Sequence, residues 1–307
     1  MRWMQLYGWS AVDLFFVISG FIFAHRYLEN WSMRREVTLD DFFIARIARL
    51  WPLHLLTLAL AVVLFKPDTL YDWGDVALSA LFAHVLIDDP TYVLNAPAWS
   101  LSVEMICYAV FAFLAMAGGR WLKVGSVIAV LAGCALIAAY GVWAMPALIG
   151  RGLAGFFIGV ALYRFLPAFG AVPSLLLAAL ACLPLVFPPD HGWLILTLGI
   201  AWPALLLLVL RIDALGSPLF AWLGSRSYAI YLLHVPVYYA VRGPFAEVIA
   251  GNMQATIVAL VASWAITLIV SNALYKALER PAQKAILSRY YARKKAALGA
   301  APSPREA

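Results

Sequence analysis

The stretch Pro97-Ala98-Trp99-Ser100-Leu101-Ser102-Val103-Glu104-Met105-Ile106-Cys107-Tyr108 places one carboxylate, Glu104, inside an apolar run that continues to Met116. A carboxylate at the centre of a membrane helix costs about 2.5 kcal/mol or more on insertion scales, so such groups face a bundle interior or a wet cavity. On a helix, Ser100, Glu104 and Tyr108 fall at i, i+4 and i+8 and line one face. That stripe marks Glu104 as a candidate catalytic group, with Trp99, Ser100 and Tyr108 beside it as candidate substrate contacts. The plain structural alternative is a buried glutamate paired with an arginine of a neighbouring span.

A second polar face lies near the other end. Ser227, Tyr231, His234 and Tyr238 recur at spacings of 4, 3 and 4. His234 titrates near neutrality and can shuttle a proton or donate to an acceptor; Ser227 and Tyr231 are its candidate substrate contacts. A hydrogen-bonded core histidine is the plainer reading. Arg46 and Arg49 lie about one turn apart, with Pro52 just beyond. Guanidinium forks suit phosphates, and anchoring at a cytoplasmic boundary is the alternative. Asp13 sits near the start of the first apolar segment, where it pairs with a basic residue or acts directly. His25, His54, His84 and His191 form no constellation, and no spacing supports a metal site. Cys107, Cys134 and Cys182 lie in apolar runs without CxxC spacing and read as small core residues.

These groups need elements to hold them, and the composition says which. Of 307 residues, 64% are hydrophobic and 12% charged, with a mean hydropathy of +0.87. A soluble domain is nearer ~25% charged. The expected fold is all-α, a polytopic transmembrane helix bundle over residues 1–281, with a basic cytoplasmic tail over 282–307. The net charge of +6 is localised, since from Lys276 onward there are eight Lys/Arg and two Glu, and the rest of the chain balances. The high isoelectric point therefore describes a tail beside a last span and excludes a nucleic-acid surface.

Apolar segments run at about 9–28, 42–65, 98–117, 123–144, 148–166, 172–187, 193–210, 220–241 and 254–278. Val76–Ile87 is apolar but shorter than the ~17–25 residues a span needs. With the Arg-rich loop 26–49 in the cytoplasm, a non-crossing 76–87 puts Arg120/Lys123, Arg164, Arg211 and the tail inside. A crossing segment inverts all of them. The expectation is nine crossings plus one short re-entrant, interfacial or buried segment, with the C-terminus inside. An odd number puts the N-terminus outside, and Met1–Gly8 shows no signal pattern to send it there.

Four stretches resemble the acyltransferase 3 family of integral membrane acyltransferases, which includes O-antigen and exopolysaccharide O-acetylases. GWSAVDLFFVISGF (8–21) is close to that family's GVDLFFVLSGF. FFIARIARLWPLH (42–54) is similar to F-x-x-R-R-x-x-R-I-x-P-x-Y, with His54 at the Tyr. WSLSVEMICY (99–108) resembles WSLSVEEQFY, with Met105 at the second acidic position. LGSRSYAIYLLH (223–234) resembles LG-x-x-S-Y-x-x-Y-L-x-H. Arg151–Gly159 and YKALERP (275–281) are weaker matches.

The resemblance implies an inner-membrane O-acyltransferase that moves an acyl group, most often acetyl, from acyl-CoA to a hydroxyl of an envelope carbohydrate or lipid-linked glycan. Acetyl-CoA or another acyl-CoA is then a co-substrate, and no cofactor is bound. It implies catalytic roles for Glu104, His234 and Asp13 and donor binding by Arg46 and Arg49. The family's first span carries an Arg/Lys about ten residues before a catalytic His, and no residue here matches that pair. The expectation is a start placed downstream of the true one, or a truncated chain. The alternatives are a transporter or flippase, and a non-catalytic remnant. Against transport, the sequence shows no internal repeat and no matched pair of broken helices.

Overall fold

The computed structural model describes residues 8–28, 37–65, 73–84, 94–187, 190–245 and 252–299. The loop 29–36, residues 85–87 of the short apolar segment and the last eight residues of the tail lie outside the described residues. So do Asp88, Asp89 and Pro90. Every described element is helical. In lipid, backbone groups must be satisfied within the segment, and apolar runs of this length do that only as helices.

The first helix, α1 (Ala11–Leu28), comes after a 3-10 turn at Gly8–Ser10. Next come α2 (Leu39–Phe65) and α3 (Trp73–Ala80). A 3-10 turn at Ala96–Ala98, opened by Pro97, leads into α4 (Trp99–Ala117). α5 (Gly119–Tyr140), α6 (Met145–Arg164) and α7 (Ser174–Cys182) come after it. α8 (His191–Leu196) joins α9 (Trp202–Val209) through a π-helical turn at Thr197–Ala201. α10 is Pro218–Arg242. α11 (Met253–Leu274) runs through a second π-helical turn, Tyr275–Glu279, into α12 (Arg280–Gly299).

Seven of the described helical stretches are long and apolar enough to cross a membrane, and Ser174–Val186 is a shorter apolar one. The chain is a multi-pass α-helical membrane protein. α10 has 25 residues, enough for a span, and its polar Ser227, His234 and arginines keep it out of the apolar class. At eight residues, α3 rises about 12 Å, far short of a hydrocarbon core of ~30 Å. The basic segment after Pro281 is helical to Gly299, in line with the last apolar helix.

The helices form two compact units. The first comprises α1 and α3–α9, and its most extensive packing is α5 on α6 and α1 on α6. Lipid is as apolar as leucine, so such helices associate through close contact of small residues rather than by burying grease. The glycines show it. A Cβ on Gly20 would lie 1.8 Å from the Phe156 carbonyl oxygen, and one on Gly159 would lie 2.0 Å from that of Val17. Gly133 and Gly150 make the same kind of contact between α5 and α6. Around this seam a buried apolar cluster gathers Val17, Ala154, Trp193, Leu198 and Leu207.

The second unit comprises α2, α10 from Leu223 onward, α11 and α12. α12 packs along α2, and the π-helical turn Tyr275–Glu279 also meets α2. At one point the Tyr228 hydroxyl donates to the carbonyl of Leu50, 2.6 Å away, tying α10 to α2. At another, Lys294 of α12 donates to both oxygens of Asp41 at 2.7 and 2.6 Å.

Candidate active site

In the first unit, α1 and α4 together hold Glu104. The carboxylate is 2% exposed. The Ser19 hydroxyl donates to its Oε1 at 2.8 Å, and the Tyr108 hydroxyl, one turn on, donates to the same oxygen. Two O–H donors on one carboxylate oxygen fix the plane of the group. Tyr108 is itself held by the Phe23 ring, stacked 4.4 Å away. α1 thus supplies both a hydrogen bond and an aromatic wall, and Gly20, beside Ser19, lets α1 lie against α6.

The expected stripe on α4 is thereby partly assembled. Glu104 and Tyr108 act together. Ser100, fully buried, donates instead to the Pro97 carbonyl at 3.1 Å and closes the entry of its own helix. Trp99 turns to a second cluster, where Asp13 and Arg151 form a two-point ion pair with neither side chain exposed. Arg151 Nε donates to Oδ1 at 2.8 Å and Nη2 to Oδ2 at 3.1 Å, while Nη1 donates to the Val142 carbonyl at 3.2 Å. The guanidinium carbon lies 4.9, 5.1 and 5.4 Å from the rings of Trp9, Trp99 and Trp143. A planar cation faced by aromatic rings and a carboxylate is satisfied without water. Asp13 therefore has its basic partner, on α6. It precedes Ser19 by six residues, about 9 Å along α1.

A third polar contact joins α4 to the segment after α3. His84, fully buried, donates its backbone N–H to the Ser102 hydroxyl at 3.0 Å, and its Nδ1 lies 2.7 Å from the same oxygen. On a helix, Ser102 points away from Glu104, so this pair pins the chain after α3 to the opposite side of α4.

The remaining candidates belong to the second unit. His234 Nδ1 lies 2.6 Å from the Tyr231 carbonyl. A carbonyl only accepts, so Nδ1 carries the proton and the neutral ring presents Nε2 as its basic nitrogen. The Tyr231 and His234 rings are 5.8 Å apart. Ser227 is exposed and donates to the Gly224 carbonyl of its own helix at 2.8 Å. Arg46 is half-buried with its guanidinium 5.9 Å from the Phe42 ring, and Arg49 is exposed. Among the described residues no group of three or more His, Cys, Asp or Glu could hold a metal ion.

Sequence reasoning missed several of these partners. Ser19 looks like one more small residue in an apolar helix, and nothing local joins it to a carboxylate 85 positions away. For Arg151 there was a signal, a lone cation inside an apolar run, but its three tryptophans come from three separate segments. Arg226 and Glu279 were also passed over. Arg226 is buried, and its Nε donates to Asn272 at 2.9 Å and its Nη1 to Ser225 at 2.6 Å.

Apolar helices long enough to span a membrane, with buried, hydrogen-bonded carboxylates in one unit and arginines in the other, define a polytopic membrane protein that carries polar groups within its helix packing. The profile of the acyltransferase 3 family, described as an acyltransferase domain, matches residues 5–276. The chain belongs to that family. It is similar to the acyltransferase MdmB of Streptomyces mycarofaciens, 34% identical over 34% of this chain and 27% of that protein. It is also similar to protein 2 in the picA locus of Rhizobium radiobacter, 34% identical over 34% of this chain and 65% of that one. The longest of these similarities is to the peptidoglycan O-acetyltransferase OatA of Listeria monocytogenes, 23% identical over 90% of this chain and 51% of that protein. The chain thus spans less than two-thirds of the length of each of these relatives. No solved structure matches it.

Proposed function

We propose that the protein is an O-acyltransferase of the inner membrane that moves an acyl group, most simply acetyl, from acyl-CoA to a hydroxyl of an envelope glycan. The observation that carries this reading is Glu104, a buried carboxylate in the WSLSVE stretch whose Oε1 accepts from both Ser19 and Tyr108. The acceptor hydroxyl attacks the thioester carbonyl carbon and gives up its proton to a base. The tetrahedral intermediate then collapses, the C–S bond breaks, and coenzyme A leaves as a thiolate that takes a proton. A buried carboxylate whose plane is fixed by two hydroxyl donors is suited to orient the acceptor or take its proton. His234, with Nε2 as its basic nitrogen, is the second group able to move a proton. Arg46 and Arg49 supply guanidiniums for the donor phosphates.

The basic ends of α1 (Arg26) and α6 (Arg164) and the basic α12 support cytoplasmic placement of these boundaries and of the C-terminus. A glycan acceptor is supported by the Listeria relative, a peptidoglycan O-acetyltransferase. The test is coenzyme A release from acetyl-CoA in membranes supplied with envelope glycan. Release that depends on the glycan and vanishes in Glu104→Gln, with the variant still in the membrane, is the expected result. Undiminished release by that variant would remove Glu104 from the chemistry.

A further inference from the structure

The second unit contains a charge arrangement that the proposed reaction has not used. Glu279 closes the π-helical turn Tyr275–Glu279. Such turns carry an extra residue per turn and are frequent at functional sites. Here the turn directs Glu279 inward, leaving it 4% exposed. It lies beyond the last residue that the family profile matches. The turn packs against α2, which carries Arg49, Arg226 of α10 lies over the Tyr275 ring of the same turn, and the Tyr228 hydroxyl reaches the carbonyl of Leu50, next to Arg49. Yet Glu279 Oε2 is buried with no hydrogen-bond partner. Arg226 is held sideways, with Nε on Asn272, Nη1 on Ser225 and its guanidinium 4.5 Å from the Tyr275 ring. That stacking fixes the plane of the fork.

A buried carboxylate in a turn that meets two arginine-bearing helices, with one oxygen unbonded, is a poor structural pair, because a pair kept for stability uses its lone pairs. It is a good exchangeable counter-ion. A phosphate offers more acceptor oxygens and more charge to the same two forks. We infer that Arg49 and Arg226 form a phosphate subsite for the acyl-CoA donor, and that Glu279 is its resident counter-ion, displaced when the donor binds. This rests on the proposed donor role of Arg46 and Arg49 and adds to it a third arginine and a competing carboxylate. The carboxylate offsets the charge of the buried Arg226 and of Arg49 when no donor is present, and it sets the donor's affinity below what the arginines alone would give.

The experiment is a titration of coenzyme A into the full-length protein in nanodiscs of zwitterionic lipid, so that lipid phosphate from anionic headgroups does not compete. Arg226→Gln should weaken binding about tenfold, the loss of one charge-assisted contact. Arg226→Lys, which keeps the charge and loses the fork, should fall between. Glu279→Gln should move the other way and tighten binding severalfold. Opposite shifts from two partners of one cluster are not what a structural pair produces, since disruption would weaken both. Unchanged affinity in Arg226→Gln and Arg226→Lys overturns the subsite, as does weaker binding in Glu279→Gln. Should Glu279→Gln fail to reach the membrane, the two arginine variants decide alone. Weakening by Arg46→Gln and Arg49→Gln with no effect at 226 leaves the donor reading standing and removes this inference. No effect at any of the three arginines removes both. In parallel nanodiscs that contain phosphatidylglycerol, an Arg226→Gln variant that changes only the retention of that lipid and leaves coenzyme A binding unaltered would make the assignment to the donor wrong.

Discussion

At the scale of single residues, the proposed chemistry turns on how one carboxylate is held. Glu104 Oε1 carries two hydroxyl donors, and a hydrogen bond to a charged group is worth about 1.5–3 kcal/mol. Removing one donor should leave the protein folded, because a carboxylate with one remaining partner is still satisfied on that oxygen. Its orientation is lost, and 1.36 kcal/mol of transition-state stabilisation is a factor of about ten in rate. Ser19→Ala and Tyr108→Phe are therefore each expected to lower kcat about 10- to 100-fold, with the KM for acyl-CoA unchanged. Steady-state kinetics in membranes check this. A change confined to the donor KM would place Glu104 on the donor instead of the acceptor. One of these two partners was legible in the sequence. Tyr108 sits four residues from Glu104 on a helix, and that spacing alone predicts the contact. Ser19 was not, because its partner is defined by the packing of two helices, which spacing along one of them does not encode.

At the scale of elements, the seam between α1 and α6 positions both buried clusters. Gly20 and Gly159 each face a carbonyl oxygen of the other helix so closely that a methyl group has no room. Overpacking a well-packed interface costs about 1–3 kcal/mol, and a backbone atom cannot step aside as a side chain can. Gly20→Ala and Gly159→Ala should each lower the thermal midpoint in detergent, read by fluorescence-detected size exclusion, whereas alanine at the open Gly224 should not. The same seam brings Asp13 to Arg151, and that pair separates packing from chemistry. Arg151→Ala strands a buried aspartate and should destabilise by about 3–5 kcal/mol. Asp13→Leu with Arg151→Met removes both charges at similar volume and should recover membrane abundance. Recovery of glycan-dependent activity along with abundance would make Asp13 a positioning residue. Abundance without activity would return it to the chemistry. The sequence announced Asp13 as an ion in grease that needed a partner. Which of 22 basic residues it meets is a property of the helix packing.

At the scale of the whole molecule, the apolar segments carried most of the architecture. Their lengths match helices, and polar interruptions such as Asp13, Glu104 and Arg151 fall on buried faces. Less legible was the grouping into two units, because α2 joins elements more than 150 positions later in the chain, and periodicity within α2 does not say which helices its faces meet. The length of the 220–241 segment predicts a span, and the structure gives α10 that length with a polar content that sets it apart from the seven apolar stretches. The same physics decides orientation. Charged loops sort by sign, and basic ones stay in the cytoplasm. The outcome hangs first on α3, whose eight residues rise about 12 Å and leave more than half of a ~30 Å hydrocarbon core uncrossed. If α3 does not cross and the shorter apolar stretch Ser174–Val186 does, the loops bearing Arg120, Arg164 and Arg211 and the basic α12 share a side with the Arg-rich segment before α2. If α3 crosses too, all of them are forced outside together, against the charge rule four times over. A fluorescent reporter fused after residue 307 should therefore light up in the cytoplasm, and alkaline phosphatase at the same place should be inactive. Active phosphatase there would mean that the segment around α3 crosses the membrane or that Ser174–Val186 does not, and it would put the basic α12 on the side where acyl-CoA, the proposed donor, is absent.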